Sequence, residues 1–285
     1  MPDAQHLVAV HLRPFEPADV RQAQALSSQQ NWAHRVEDWQ FALSLGAGVV
    51  AERNGKVMGT ALSWKWGADC ATIGLVIVAP ELQGQRIGNR MMQALLEHLA
   101  PRHVLLHATE AGRGLYERLG FVATGEVAQH QGVFARLPQP LRREGDRLRP
   151  LKPGDVESLI AIDAGGTGML RTELLRRAFA EDRAVVLERD GETAGFAVLR
   201  RYGRGQAIGP VAAPDLEAAS LLISDCCGHV DGFLRIDVHA DGGLSQWLET
   251  QGLPRVGGGT VMFRGRAPDR GPAHGGWAIF TQAIG

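Results

Sequence analysis

The sequence predicts an α/β fold made of two tandem domains, each a central sheet flanked by helices. Three observations predict it. The chain repeats itself: HLRPFEPADV at His11–Val20 returns as RLRPLKPGDV at Arg147–Val156, and VVAERNGKVMGTAL at Val49–Leu62 returns as VVLERDGETAGFAV at Val185–Val198, both at an offset of 136. Short runs rich in Val and Ile alternate with amphipathic segments. Finally, Ala71–Ala100 reads as strand, polar Gly-bearing turn and helix, an order that points free backbone N–H groups at one spot where an anion can sit. So long a period means two domains rather than a solenoid. The boundary falls in the Pro- and charge-rich RLPQPLRREGD, which places a first domain at 1–136, a linker at 137–146 and a second domain at 147–285.

Each element follows from local chemistry. A strand at Ala9–Pro14 leads into a helix starting at Pro17 or Ala18, where Pro suits the first turn and Asp19 the positive end of the dipole. A second helix spans about Arg35–Leu45. Strands at Gly48–Arg53 and Val57–Trp64 are joined by Asn54-Gly55, a hairpin signal, and Asp190-Gly191 repeats it in the second half. The apolar run ATIGLVIVAP reads as a strand buried on both faces. Ile87, Met91, Leu95 and Leu99 then recur every four residues on one helix face. A strand at His103–Thr109, a helix at Gly112–Leu119 closed by Gly120, and one or two strands over Phe121–Phe134 complete the first half. Leu234–His239 and Leu244–Gln251 are the late strand and helix of the second.

Composition narrows the setting. At 285 residues there is room for two cores. A formal net charge of −1 offers no global field for nucleic acid or an anionic membrane. Cys70, Cys226 and Cys227 form neither a disulfide framework nor a metal-ligand spacing. No basic leader precedes an apolar run, and no stretch reaches the length of a membrane span. The expectation is a cytoplasmic, reducing setting, with no metal and an open oligomeric state.

The order of elements resembles the GNAT superfamily of acyl-CoA-dependent N-acetyltransferases, and residues carry the resemblance. Val78-Ala79-Pro80 followed by Gln83-Gly84-Gln85-Arg86-Ile87-Gly88 is similar to the family's Val-x-Pro and Gln/Arg-x-x-Gly-x-Gly/Ala loop. Leu115-Tyr116-Glu117-Arg118-Leu119-Gly120-Phe121 is similar to its Leu-Tyr-x-x-x-Gly-Phe motif. The motifs lie in residues 9–136, and the whole chain resembles tandem members with a degenerate second domain. The resemblance implies a mixed central sheet in each domain and acetyl-CoA as co-substrate. Its pyrophosphate would rest on N–H groups from Gln83 to Asn89 (Gln83, Gly84, Gln85, Arg86, Ile87, Gly88, Asn89), and the oxyanion donor would be a backbone N–H around Ile77 and Val78. Tyr116 would give the proton to the leaving thiolate. Two departures stand out. Arg86 occupies the fourth loop position, usually Gly, where a positive φ would strain it or its guanidinium could meet phosphate. Gly74 stands where families of this kind often place a Glu base.

With that Glu absent, His107 on HVLLHAT is a candidate base, although such a residue is more often a hydrogen-bonded strand histidine. Asp237 and His239 alternate on one face of LRIDVHA and are candidate acceptor contacts, or else a solvated strand face. Trp64 ends a strand near the site and could line an acceptor pocket, although such residues are more often core. Aligned on Pro80/Pro214 and Gly120/Gly252, the second half has no Gly loop after Pro214 and has Leu248 in place of Tyr116, so it is not expected to bind acyl-CoA. The leading expectation is acetyl transfer to the amine of a small molecule. A non-catalytic acyl-CoA sensor is the alternative, and a peptide-directed enzyme would need an open groove.

Overall fold

Strand β1 (His11–Pro14) enters a 3₁₀ turn at Pro17–Asp19, then α1 (Val20–Gln29) and α2 (Val36–Leu45). Strands β2 (Ala47–Arg53) and β3 (Lys56–Trp66) pair as an antiparallel hairpin. Its turn places Asn54 at φ 56° and Gly55 at φ 72°, the two left-handed residues that a tight hairpin requires. There follow β4 (Cys70–Val78), α3 (Ile87–Leu99), β5 (His103–Ala108), α4 (Glu110–Arg118) and β6 (Val122–Val133). The second half repeats the series as β7 (Asp146–Pro150), α5 (Val156–Thr167), α6 (Thr172–Glu181), β8 (Arg183–Arg189), β9 (Glu192–Tyr202), β10 (Gly205–Ala213), α7 (Leu216–Cys227), β11 (Phe233–His239), α8 (Leu244–Thr250) and β12 (Arg255–Arg264). A last strand, β13, spans Gly275–Ala278. The structure, a computed structural model, describes residues 10–133, 142–268 and 275–285; of the expected linker, 137–141 lie outside the described residues.

Contacts divide the chain into two compact units. The first takes the chain up to Trp64 and again Ile73–Ala100; the second takes Lys65–Thr72 and Pro101–Gly285. In the first, the strand order is β1-β2-β3-β4, and α3 packs on β2. All four residues of the expected α3 stripe, Ile87, Met91, Leu95 and Leu99, are buried, together with Met92 and Leu96. Cutting one such leucine to alanine costs about 3 kcal/mol. Gly59 on β3 admits this packing: a Cβ there would lie 3.0 Å from the Ile77 carbonyl and 3.1 Å from Met91 Cε.

In the second unit the two sequence copies exchange strands. The order runs β5-β12-β6-β11, so β12 of the second copy lies between β5 and β6 of the first, and β6 pairs with β11 of the second. Leu105, Val127, Val261, Phe263 and Ile279 close one core across these strands. A larger core gathers β8 to β11 against α7, with Leu244 and Leu248 of α8. Close approach of β12 to β6 needs glycine at one point: a Cβ on Gly258 would sit 2.2 Å from the Val127 carbonyl oxygen.

Candidate active site

Helix α3 starts without a side-chain cap. Leu82 and Gln83 N–H close a 3₁₀ turn on the carbonyls of Ala79 and Pro80 (2.9 and 3.2 Å). Gly84 and Arg86 then take left-handed φ values of 78° and 61°, and Arg86 is the N-cap residue. The first helical bond is Arg90 N–H to the Arg86 carbonyl, 3.1 Å. Ile87, Gly88 and Asn89 N–H therefore have no acceptor among the described residues, as expected of a first turn. They open a helix of 13 residues whose dipoles add at this end. Gln83, Gly84, Gln85 and Arg86 are exposed, Gly88 and Asn89 half-buried, and Ile87 is in the core. The loop is thus an open, positively polarised cradle of backbone N–H groups.

Strand β4, which leads to this loop, is interrupted. Leu75 has φ 52°, inside a strand, and its carbonyl accepts the Thr60 hydroxyl at 2.8 Å. A bulky left-handed residue persists only where its surroundings hold it. Burial then alternates, with Leu75 and Ile77 inside and Gly74, Val76 and Val78 half-exposed. The expectation of a strand buried on both faces holds only for Cys70–Ile73. Nothing about a leucine announces such a kink. Trp64, proposed for an acceptor pocket, is instead core of the first unit: it is 0% exposed and its indole N–H donates to the Ala42 carbonyl at 2.8 Å.

Other candidates lie in the second unit. Thr109 caps α4, its hydroxyl accepting the Gly112 N–H at 3.2 Å. Tyr116 is buried on this helix, edge-on to Phe121 with ring centroids 6.0 Å apart. Gly112 makes room for the ring, since a Cβ there would lie 3.0 Å from Tyr116 Cε2. Burial pushes the phenol up to about 12, so it stays protonated at neutral pH. His107 is half-buried on β5, and its Nδ1 donates to the Gln282 carbonyl at 3.0 Å. Asp237 is buried on β11 and accepts from Arg235 Nε (2.8 Å) and Nη2 (3.1 Å) and from Gln282 Nε2 (2.9 Å). It is neutralised by a neighbour two residues away rather than held open. His239, half-buried, lies opposite Val127 at the end of the same ladder. Gln282 and Gln129, joined at 3.2 Å, complete this cluster. Sequence reading missed both, since a glutamine carries no motif.

The second copy lacks the cradle for a physical reason. Asp215 caps α7 by accepting the Ala218 N–H at 2.8 Å and pairs with Arg189 at 2.5 Å. A carboxylate already occupies the place of an anion. Strands β10 and β11 pair in parallel only over Gln206–Ile208 and Leu234–Ile236. Beyond Gly209 and Pro210 they fork, and β13 fills the fork, pairing with Val211–Ala213 on one side and Val238 on the other. The counterpart of Tyr116, Leu248, is wholly buried.

Fold, loop and repeat define a duplicated acyltransferase-type chain. Residues 10–121 match the acetyltransferase (GNAT) family and residues 159–273 the acetyltransferase (GNAT) domain. The chain belongs to the GNAT superfamily and is a tandem member of it. It is 27% identical over 221 residues to an uncharacterized N-acetyltransferase, YitH, of Bacillus subtilis (75% of this chain, 76% of that protein). It is 29% identical over 149 residues to a mycothiol acetyltransferase of Acidothermus cellulolyticus, covering 46% of each. In fold it is similar to a putative acetyltransferase from Pyrococcus horikoshii, with a TM-score of 0.79 at 19% identity over 100% of this chain and 99% of that one. A tandem GNAT protein from the clavulanic acid biosynthesis pathway gives 0.62 at 14% identity, covering 90% and 98%.

Proposed function

We propose that this chain transfers an acetyl group from acetyl-CoA to the amine of a small molecule by direct attack. The observation that carries the proposal is the uncapped start of α3, with its left-handed Gly84 and Arg86, set against the Asp215-capped start of α7. Residues Gln83–Asn89 would hold the pyrophosphate, and backbone N–H groups around Ile77 and Val78 would stabilise the oxyanion. In this reading residues 1–136 are the cofactor domain, 137–146 a linker and 147–285 the degenerate partner. The name of the Acidothermus relative supports acetyl as the acyl group. Among the described residues no helix is long and apolar enough to cross a membrane. The three cysteines are free and buried, which suits a cytoplasmic setting.

Tyr116 would serve the departing sulfur. A phenol near 12 is a weaker acid than a thiol near 8.5, so full transfer to a free thiolate is uphill by roughly three to four powers of ten. Its part is therefore to hydrogen-bond the sulfur as charge develops. His107 would take the proton released by the attacking amine, whose ammonium form has a pKa of about 10.

Calorimetry with acetyl-CoA tests the reading. One equivalent should bind. No heat at about 100 µM, where a binding free energy of roughly −5.5 kcal/mol would show, overturns it. Gly74, in place of a Glu base, favours a second reading, a non-catalytic acyl-CoA sensor. Binding without thiol release across a panel of amines would decide for the sensor.

A further inference from the structure

The C-terminal segment that follows β13 runs across three strands of the second unit. Ile279 N–H donates to the Asp237 carbonyl at 2.9 Å and anchors the segment to β11. Three residues on, Gln282 meets His107, Asp237 and Gln129 at once. Its carbonyl accepts His107 Nδ1–H from β5 at 3.0 Å. Its amide donates to Asp237 Oδ1 of β11 at 2.9 Å and to Gln129 Oε1 of β6 at 3.2 Å. On β12 the residue facing this cluster is Gly259, where a Cβ would lie 3.1 Å from Gln282 Oε1 and 3.6 Å from His107 Cβ.

We infer that Gln282 is a positioning residue for His107. The inference rests on the acetyltransferase reading above. A carbonyl can only accept, so its bond to Nδ1 requires the proton on that nitrogen. In the neutral ring Nε2 is then the basic nitrogen. The side chain of Gln282 holds the carbonyl in place through its two amide bonds. Asp237, neutralised by Arg235, is the anchor of that amide and not the base. In the reaction the acceptor ammonium gives one proton to His107 Nε2, the amine nitrogen forms the new C–N bond, the C–S bond breaks, and the nitrogen's second proton passes to the departing sulfur, which leaves as the thiol.

The tautomer is directly measurable on the full chain. Long-range proton–nitrogen correlation spectra of histidine-labelled protein, with His107→Asn to assign the ring, should show the Nδ1–H form at neutral pH. Gln282→Ala should shift the pattern to a mixture of both tautomers, with acetyl-CoA affinity unchanged within about twofold. Asp237→Asn keeps an acceptor for the Gln282 amide and should keep the Nδ1–H form. An Nε2–H ring in the native chain overturns the assignment, as does a folded Gln282→Ala chain with an unaltered ring. Failure of the underlying acetyltransferase reading is separately visible, as absent acetyl-CoA heat in the native chain.

Discussion

Arg13 and Arg149 show what the repeat preserves. Arg13 binds Asp19 through both terminal nitrogens (2.7 and 2.8 Å) and Glu52 through Nε (2.6 Å); Arg149 binds Asp155 (2.6 and 2.8 Å) and Glu188 (2.5 Å) in the same way. All three members recur at the offset of 136, so the Leu-Arg-Pro, Asp-Val and Glu-Arg fragments of the repeated sequence are one ion triad read in pieces. Each aspartate also accepts an N–H that opens its 3₁₀ turn, from Glu16 and Lys152. The arginine hydrogen bonds hold both aspartates below their ordinary 3.8. A carboxylate depressed on folding stabilises above its unfolded pKa and loses that contribution as pH falls through the folded one. Thermal stability should be level from about pH 7 to 5 and fall below about 4, and Arg13→Ala should flatten that fall. The same variant strands a buried Asp19 and should cost about 2 kcal/mol in urea unfolding. At the reaction, Tyr116→Phe should lower turnover by about 10²-fold with little change in acetyl-CoA affinity, measured by thiol release and calorimetry. An unchanged rate removes Tyr116 from the chemistry.

At the scale of elements, the loop before α3 was legible and the kink inside β4 was not. Gly84, Gln83 and the stripe from Ile87 to Leu99 announce a turn and a buried helix because period and glycine are local signals. Arg86 stands out by breaking the pattern, and its φ of 61° gives the departure a physical meaning. A non-glycine residue there costs about 1 kcal/mol. Arg86→Gly should therefore raise the unfolding midpoint, yet weaken acetyl-CoA binding if the exposed guanidinium meets phosphate, and calorimetry on one variant reads both. Leu75 escaped notice because its conformation is imposed by its neighbours, Thr60 among them. Trp64 misled for a related reason: an aromatic at a strand end gives no hint of which side is filled. Strand β12 follows from the repeated order of elements, but its bounds were not legible, since RVGGGTVMFR lacks alternation at its start. Its glycines make the exchange testable. Gly258→Ala drives a Cβ into the Val127 carbonyl and should open the β12–β6 ladder, seen as faster amide exchange in both strands. Gly257→Ala meets nothing within 4 Å and should leave them protected.

For the whole molecule, the repeat divides the sequence while the packing divides it elsewhere. Descent suggests two domains meeting near residue 140, but contacts bind Pro101–Gly285 into one unit because β5, β12, β6 and β11 alternate between the copies. Sequence cannot reveal such an exchange, since β6 offers the same backbone donors and acceptors to any partner. The consequence concerns autonomy. A first copy ending before 142 would leave β5 without β12 and β6 without β12 or β11, exposing Leu105 and Val127 of a shared core. A second copy alone would leave β12 unpaired on both sides. Unpaired edges and exposed apolar faces lead to aggregation. Each half expressed alone should therefore be insoluble or poorly folded, whereas the two halves expressed together should reassemble, co-purify and bind one equivalent of acetyl-CoA. Size-exclusion chromatography and amide exchange read the outcome. A soluble first half with protected β5 amides would show that the exchange is dispensable, and the chain would then be two independent domains in fact as well as in descent.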